Sequence, residues 1–407
     1  MRQLLVSTII LVLVTFNIAN HCQAEDGFAI AEFLGPAKRK LATARSSTSS
    51  SGFNIVLNFV NTPTPDQARA FTDAKEKWES IISGYQVSDI ANQNLIINVV
   101  LAPIDGEGGI LGAAGPQFAK LNAAQTDVSS GFVYADEGIM QFDTADVAQL
   151  LADGRFETVV LHEMGHVIGV GTLWSSSQLD LPGRQELYQF GSGQYSGTNG
   201  VSAYGNEFSL GAPFVPVELG GGAGTANAHW NEVDFGLALT GITNSRGQDF
   251  GNELMTGWLG QNTFLSSVTI ASLIDLGFVI DVAGDFDGNF IVDGDDIDHV
   301  IDRFGATSAS QLAEFDLTGD GQINSADLAF HVENLVQTTN GVCGTCLGDI
   351  NLDGTVDVLG DAFILVANLG TVVDSYTLGD LNGDGTVNVL GDAFILVGNL
   401  GKSNSGN

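Results

Sequence analysis

The order of apolar and polar residues predicts folded elements from residue 53 onward. Residues 53–60 are rich in β-branched and aromatic side chains, and 95–101 form an apolar run, so both are predicted strands. Apolar residues at helical spacing follow Pro63 and predict a helix that ends near Ile82. The further expectations are a helix with an apolar face over 157–170, a loop-dominated stretch over 175–250 and a last helix over 269–280. The predicted elements thus include both helices and strands.

Composition and charge narrow the class of protein. The chain has 407 residues, of which 44% are hydrophobic and 15% charged, so it can bury two or three cores. It carries 48 acidic and 14 basic residues, a net charge of −34, and residues 284–407 contribute −18 of this. Such a surface repels nucleic acid and attracts cations, so we expect no nucleic-acid partner.

The N-terminus predicts export. Arg2 precedes an apolar run from Leu4 to Phe16, and Ala24 ends a small-residue cleavage site. These roughly 13 apolar residues are too few for a membrane span, which needs about 20. We therefore expect residues 1–24 to be a signal peptide, the protein to be secreted or at the cell surface, and the mature chain to lack a transmembrane segment.

Two short segments flank the predicted domains. Residues 25–51 combine a basic cluster with a serine-rich run and are interpreted as a tail or short pro-segment. Residues 337–346 form a predicted linker that contains Cys343 and Cys346, which are expected to form a small disulfide in an oxidising compartment. A redox or half-zinc motif is the alternative, although no second cysteine pair exists to complete a four-cysteine site.

The motif His162-Glu163-Met164-Gly165-His166 indicates a metal site. On a helix the two histidines are one turn apart and share a face, so they can bind one ion. Glu163 lies beside them and can take a proton from a water whose pKa zinc lowers to about 7. An ordinary core helix that carries this pattern by chance is the alternative. A catalytic zinc ion needs a third protein ligand.

The remaining histidines limit the choice of that ligand. Once the signal peptide is removed, His299 and His331 lie in the repeat region, and His229 alone remains outside the motif in the globular part. We therefore expect His229 to be the third ligand. Glu186 and Glu232 are the competing donors, because a glutamate completes some sites of this type.

The segment from His162 to Gly169 resembles the start of the metzincin signature HExxHxxGxxH, although Thr172 occupies the position of the third histidine. In leishmanolysin-like peptidases an insertion displaces that histidine into a His-Trp context, shortly before a Glu-Leu-Met segment. This chain has His229-Trp230 far beyond His166 in the sequence, and then Glu253-Leu254-Met255. The resemblance covers about residues 53–281.

The resemblance implies an α+β fold, with a metzincin-like zinc protease domain over 52–283. It implies His162, His166 and His229 as ligands of one catalytic zinc ion, Glu163 as general base, and Met255 as the methionine of the turn beneath the ion. Two departures matter. The mature chain has no cysteine ahead of the domain, which argues against latency by a cysteine switch, and no tyrosine closely follows Met255. Zinc itself is therefore expected to polarise the scissile carbonyl.

The region after residue 284 consists of repeats. Segments that begin at Asp285 and Asp316 share one pattern, and 347–370 matches 378–401, at the same spacing, at 20 of 24 positions, which marks duplicated units. Each repeat places side-chain oxygens at alternate positions, the pattern of a calcium loop. The expected ligands are Asp285, Asp287, Asn289, Asp293 and Asp296 in loop 1; Asp316, Thr318, Asp320, Asn324 and Asp327 in loop 2; Asp349, Asn351, Asp353, Asp357 and Asp361 in loop 3; and Asp380, Asn382, Asp384, Asn388 and Asp392 in loop 4.

The four loops differ in two details. Phe290 replaces the turn glycine in loop 1, and Asp361 and Asp392 stand one place late, which implies a one-residue insertion in loops 3 and 4. Acidic turns without metal are the alternative, but four regular repetitions count against it. We expect up to four calcium ions.

Pairs of such loops, each followed by an apolar helical segment, resemble dockerin modules over 284–336 and 347–401. The resemblance implies two small α-helical calcium-loop modules and a cohesin-type or cell-surface partner. The residues themselves do not distinguish docking from stabilisation or retention of the protein.

Together these patterns predict a secreted zinc-dependent endopeptidase that acts on a protein or peptide substrate. A secreted calcium-dependent binding or surface-layer protein with an inactive protease fold is the alternative, and it would require a substitution at Glu163 or at a ligand, which the sequence does not contain. Zinc-dependent hydrolysis of a non-peptide bond is a second, weaker alternative.

Overall fold

The computed structural model describes residues 28–29, 52–125, 127–128, 131–175, 185–222, 224–232, 239–339, 344–373 and 375–403. The predicted signal peptide, nearly all of 25–51, and Cys343 with its predicted disulfide lie outside them. The strands are β1 Phe28–Ala29, β2 Asn54–Phe59, β3 Ile82–Tyr85, β4 Asn94–Ala102, β5 Gly112–Ala119, β6 Ala135–Asp143, β7 Gln194–Tyr195, β8 Val215–Pro216, β9 Trp258–Leu259 and β10 Phe278–Ile280. The α-helices are α1 Pro65–Ile81, α2 Thr144–Ala152, α3 Phe156–Ile168, α4 Thr198–Glu207, α5 Ser267–Asp275, α6 Gly294–Ile301, α7 Ala309–Phe315, α8 Ser325–Asn334, α9 Phe363–Asn368 and α10 Asp392–Asn399. This mixture of helices and strands agrees with the α+β class.

A four-stranded sheet, in the order β2-β4-β6-β5, forms the centre of the N-terminal part. Strands β2, β4 and β6 are parallel, and β5 runs antiparallel to β6 at the edge. In β4, Leu95, Ile97 and Val99 are buried while the residues between them are partly exposed, so one face of the strand lies against the core.

Helices α1 and α3 pack together against this sheet. Thr64 caps α1 in a capping box with Gln67, and the Trp78 indole on α1 donates a hydrogen bond to the Leu161 carbonyl on α3, at 3.0 Å. Gly138 on β6 allows α3 to approach closely, because a Cβ at this glycine would lie 2.4 Å from Val167 Cγ1. The sheet therefore fixes the helix that carries the histidine motif.

The described part of 175–250 is loop-dominated, as predicted, but it contains one α-helix that the sequence does not indicate, and the predicted last helix ends early. The stretch 175–250 contains α4, whose N-cap Gly197 provides no side chain; instead the Asp275 carboxylate accepts the Asn199 and Gly200 N–H groups at 3.0 and 2.9 Å. This cap comes from 76 residues away, so no local pattern signals it. Residues 278–280, expected to end a helix, form β10, because Gly277 adopts φ 93° and turns the chain towards β3.

Beyond Gly284 the buried apolar residues form a second cluster. It draws Val292 and Val332 from the first predicted module and Val356 and Leu396 from the second. The two predicted modules also share a hydrogen bond, since Asp298 of the first accepts the Tyr376 N–H of the second at 2.7 Å. Residues 292–396 therefore contribute to one shared core.

The two clusters meet at a small junction. Val282 packs against both of them, and the Gln248 side chain donates a hydrogen bond to the Thr339 carbonyl at 3.0 Å. Within the described ranges, no helix combines the length and apolar character that crossing a membrane requires.

Candidate metal centre

Helix α3 and a separate loop segment bring three histidines together. His162 and His166 project from one face of α3, as their spacing predicts. His229 lies in a segment held on both sides, because Trp230 pairs with Val217 on one side and with Thr256 on the other. All three imidazoles are fully buried.

The Nε2 atoms of the three histidines converge on one point. They lie 2.8 Å apart between His162 and His166, 3.0 Å between His166 and His229, and 3.2 Å between His162 and His229. Ligand atoms around a tetrahedral zinc ion are about 3.4 Å apart, given Zn–N bonds of about 2.1 Å. The histidine group therefore has nearly the spacing of one metal ion's ligands, and it can hold a metal ion.

Backbone carbonyls fix the protonation of each ring. His162 Nδ1 lies 2.6 Å from the Leu254 oxygen, His166 Nδ1 2.9 Å from the Val170 oxygen, and His229 Nδ1 2.9 Å from the Thr225 oxygen. A carbonyl only accepts, so each Nδ1 carries the hydrogen and each Nε2 presents a lone pair to the shared point. Burial lowers the pKa of His162 to about 3 and that of His229 to about 4, so the rings are neutral.

Glu163 is a buried carboxylate next to this group. Neither of its oxygens has a hydrogen-bond partner among the described residues, and burial raises its pKa well above the ordinary value. Gly112 of β5 gives it room, since a Cβ there would lie 2.6 Å from Glu163 Oε1. A buried carboxylate without a protein donor fits a site where a water or a substrate group supplies the missing hydrogen bond.

Met255 lies against α3 at Gly165, the fourth residue of the motif. A Cβ on Gly165 would come within 2.8 Å of Met255 Sδ, and Met255 is fully buried. Gly165 therefore allows Met255 to pack closely against α3, a role that the motif alone does not indicate.

The two competing carboxylates lie outside the histidine group. Glu186 accepts a hydrogen bond from the Ser175 hydroxyl at 2.8 Å, and Glu232 is buried elsewhere. Among the described residues, the metal-binding group here consists of His162, His166 and His229. The geometry thus favours His229 over both glutamates.

Sequence reasoning missed the groups that support the histidines. The carbonyl acceptors of Leu254, Val170 and Thr225 leave no sequence signal, because any residue has a carbonyl. Gly171, with φ 79°, could have been noticed as a second glycine after the motif; its Cβ would lie 2.0 Å from the Ala228 carbonyl oxygen, next to His229.

The four acidic loops share one hydrogen-bond pattern. The first aspartate of each loop accepts the N–H group of the sixth residue, at 2.9 Å in loop 1 and 2.8 Å in the others. The last aspartate of each loop accepts the N–H group of the ninth residue. These first-position residues are Asp285, Asp316, Asp349 and Asp380; the last-position residues are Asp296, Asp327, Asp361 and Asp392. The loops are therefore equivalent in geometry.

Loop 1 keeps this geometry without the turn glycine. Phe290 adopts φ 68°, close to the φ of 86° at Gly321, 94° at Gly354 and 82° at Gly385. Such a conformation costs roughly 1–2 kcal/mol in a residue with a side chain. Phe290 also packs against the N-terminal core, which offsets part of this cost.

The one-residue insertion in loops 3 and 4 is absorbed by a wider turn. The Ala362 N–H donates to the Asp357 carbonyl and the Ala393 N–H to the Asn388 carbonyl, each five residues back. In loops 1 and 2 the equivalent bonds span four residues, as between Ile297 and Asp293. In loop 3 this turn is a short π-helix over Val358–Ala362. The late aspartates, Asp361 and Asp392, consequently occupy the same place as their counterparts.

The middle positions complete the loops. In loops 1, 3 and 4 the asparagine donates to a neighbouring aspartate, at 2.8, 2.9 and 3.0 Å respectively. In loop 2 the Thr318 hydroxyl donates to Asp327 at 3.0 Å, and Asp320 accepts the Gln322 N–H at 2.8 Å. These middle residues are Asp287, Asn289, Thr318, Asp320, Asn351, Asp353, Asn382 and Asp384. The ninth residues accept N–H groups at the start of the following helical segment. Asp293 and Asn324 cap α6 and α8, and Asp357 and Asn388 accept N–H groups from Gly360 and Gly391. Asp285, Asp287 and Asp296 bring oxygens within 4.8 Å of one another.

Comparisons with known proteins give no relative from which a function could be transferred. No protein-family model matches the chain, and no curated protein matches it.

Proposed function

We propose that this protein is a secreted zinc-dependent endopeptidase with a metzincin-like, leishmanolysin-like catalytic domain. The observation that carries the proposal is the convergence of three neutral, carbonyl-oriented imidazoles beside a buried carboxylate that lacks a partner among the described residues. Three imidazole nitrogens suit zinc and leave the fourth coordination position open.

The residues of the site have separable roles. His162, His166 and His229 would hold the zinc ion. A bound zinc ion supplies Lewis acidity, which lowers the pKa of water to about 7 and polarises a carbonyl oxygen. Glu163 takes the proton of the attacking water and passes it to the leaving amine nitrogen. The ionised carboxylate is the form that accepts the proton in the first step, and the protonated form gives it up in the second.

The sheet edge supports a peptide as the substrate. Strand β5 pairs with β6 on one side in the described part of the chain, and it begins at Gly112, next to Glu163. An edge strand presents backbone N–H and C=O groups to which an extended peptide can add. A zinc hydrolase that acts on a non-peptide bond, the first alternative, would not need an edge strand to bind its substrate.

The second rival is a calcium-dependent binding or surface-layer protein with an inactive protease fold. The three histidines are brought together, and Glu163, next to His162 in the sequence, is present and buried, which supports an intact site. The rival predicts calcium binding without peptide cleavage.

The deciding experiment uses the purified full-length protein. We expect one zinc ion per chain, cleavage of a peptide library, and a loss of roughly two to four orders of magnitude in kcat in Glu163→Gln, with zinc retained. The substitution removes the base and no ligand. Substantial cleavage by zinc-loaded Glu163→Gln would exclude Glu163 as the base, and a zinc-loaded native protein that cleaves no peptide would favour the binding-protein rival.

We also propose that the acidic loops bind calcium and that residues 347–401 dock a protein partner of the cohesin type. A duplicated row of exposed apolar side chains supports docking, because isolated exposed residues are common but contiguous sets are not. Leu359 is 80% exposed and Leu390, its counterpart in the next repeat, 83%. The other pairs are Val358 and Val389, Phe363 and Phe394, and Val366 and Val397.

A cohesin-type domain offers the direct test of docking. We expect calcium-dependent binding in titration calorimetry, and a loss of at least about tenfold in affinity when Leu359→Asp and Leu390→Asp are combined. Unchanged binding in the double variant would contradict the proposed surface.

A further inference from the structure

Glu253 is a fully buried carboxylate surrounded by four hydrogen-bond donors. Its Oε1 accepts the Ser266 N–H at 3.1 Å, the Ser266 hydroxyl at 2.9 Å and the Thr269 hydroxyl at 2.7 Å. Its Oε2 accepts the Met255 N–H at 2.5 Å. Glu253 therefore ties the turn that contains Met255 to the start of α5.

This carboxylate is connected to two of the metal-binding histidines. Leu254, the next residue, provides the carbonyl that orients His162. The Met255 carbonyl accepts the N–H of Trp230, which follows His229, at 3.0 Å.

The Thr269 hydroxyl closes the network. It accepts a hydrogen bond from the Trp230 indole at 2.8 Å and donates its own hydrogen to Glu253. One carboxylate thus fixes both the segment behind His162 and the indole next to His229.

We propose that Glu253 is a positioning residue for the metal centre, and that its four hydrogen bonds hold His162 and His229 at the distance that one ion requires. The inference rests on the proposed metal site and not on the peptidase activity. Groups behind metal ligands commonly contribute 10–100-fold to metal affinity. Here that contribution passes through a carboxylate that touches no ligand itself.

The chemistry explains why a carboxylate is needed. All four neighbours donate, and an ionised glutamate accepts at both oxygens. In Glu253→Gln the amide nitrogen must face a donor, either the Met255 N–H or the Ser266 and Thr269 side. The turn then shifts, and the Leu254 carbonyl shifts with it.

The chain contains a matched control. Glu207 is also buried, and its Oε2 accepts the N–H and hydroxyl of Ser267 at 2.8 and 2.6 Å, while Oε1 accepts the Asn244 amide at 2.9 Å. It binds the start of the same helix, one residue further on, but no described hydrogen bond links it to the histidine segments. Glu207→Gln should therefore reproduce the stability cost without the metal effect.

The test compares three variants of the full-length protein, Glu253→Gln, Thr269→Val and Glu207→Gln. Zinc dissociation constants are measured by competition with a chromophoric chelator, the Co²⁺-loaded forms are compared by visible absorption, and the stability of the zinc-free forms by urea unfolding. We expect Glu253→Gln to weaken zinc binding about 10–100-fold and to change the Co²⁺ spectrum, Thr269→Val to do so less, and Glu207→Gln to change neither.

Two results would overturn the proposal. One is a zinc affinity in Glu253→Gln within about threefold of the native value; the other is an equal loss in Glu207→Gln. If Glu253→Gln does not fold, Thr269→Val decides, because it leaves the Glu253 carboxylate in place and removes the hydroxyl that joins Glu253 to Trp230. Native affinity and an unchanged spectrum in that variant refute the network. Native protein that binds zinc but cleaves no peptide contradicts the proposed peptidase and leaves this proposal standing.

Discussion

His229 and Glu232 lie three residues apart in one segment, so only single substitutions separate their roles. His229 directs Nε2 towards the other two histidines, whereas Glu232 is buried outside that group. We expect His229→Ala to reduce zinc affinity by at least about 100-fold, since losing a ligand costs more than losing an outer-shell partner. Glu232→Gln should retain one zinc ion per chain. Metal analysis after dialysis distinguishes the two, and a zinc-free Glu232→Gln would reverse the assignment.

Gly171 supports the same segment through close backbone contact. A methyl group there would lie 2.0 Å from the Ala228 carbonyl oxygen, and φ is 79°, so Gly171→Ala must displace the chain next to His229. Gly222 has φ 86° with no atom within 4 Å of an added Cβ, so Gly222→Ala is a control for backbone strain alone. We expect Gly171→Ala to cost about 1–3 kcal/mol more than the control in urea unfolding, the usual cost of overpacking. It should also weaken zinc binding, and equal effects in both variants would argue against the contact.

At the scale of elements, local patterns predict what local contacts stabilise. Helix α3 and strand β4 can be predicted from the sequence because the apolar residues of each element form its own buried face. Helix α4 cannot be predicted in this way, because the residue that caps it, Asp275, lies on another helix. Among the site residues, the motif spacing predicts His162 and His166, and elimination predicts His229, but the supporting carbonyls and Glu253 depend on tertiary contacts that no spacing encodes.

The acidic loops make a pH-dependent prediction at the same scale. Burial raises the pKa of Asp296 to about 7, so below that pH the calcium-free loop 1 holds a proton that calcium must displace. Calcium affinity should therefore rise between pH 6 and 8, and binding at pH 6.5 should release protons. Titration calorimetry of the zinc-loaded protein in buffers of different ionisation enthalpy measures this release.

Two variants isolate the source of that proton. Asp296→Asn should reduce the release. Asp384→Asn is the control, because hydrogen bonds from Thr386 and Asn382 lower the pKa of Asp384 and leave it ionised at pH 6.5. Identical release in the native protein and in Asp296→Asn would contradict the assignment.

Over the whole molecule, charge and burial divide the chain into two regions with different dependence on metal. The second apolar cluster lies among residues 284–407, which carry a net charge of −18, and buried aspartates such as Asp296 and Asp361 lie beside it. Without calcium these carboxylates repel one another, whereas the first cluster has the four-stranded sheet and its own apolar core. We therefore expect a calcium-selective chelator to lower the melting temperature of the second region much more than that of the first.

Scanning calorimetry and limited proteolysis of the zinc-loaded full-length protein test this difference. Calorimetry should show two transitions, of which chelation shifts the one assigned to residues after Gly284. Proteolysis should then cut that region first and leave a fragment that retains zinc, because the histidine group lies entirely within residues 162–229. A small shift of the first transition is also expected, since Val282 and the Gln248–Thr339 hydrogen bond connect the two clusters. If the chelator changes neither the transitions nor the cleavage sites, the acidic loops are stable without calcium, and calcium does not stabilise the region after Gly284.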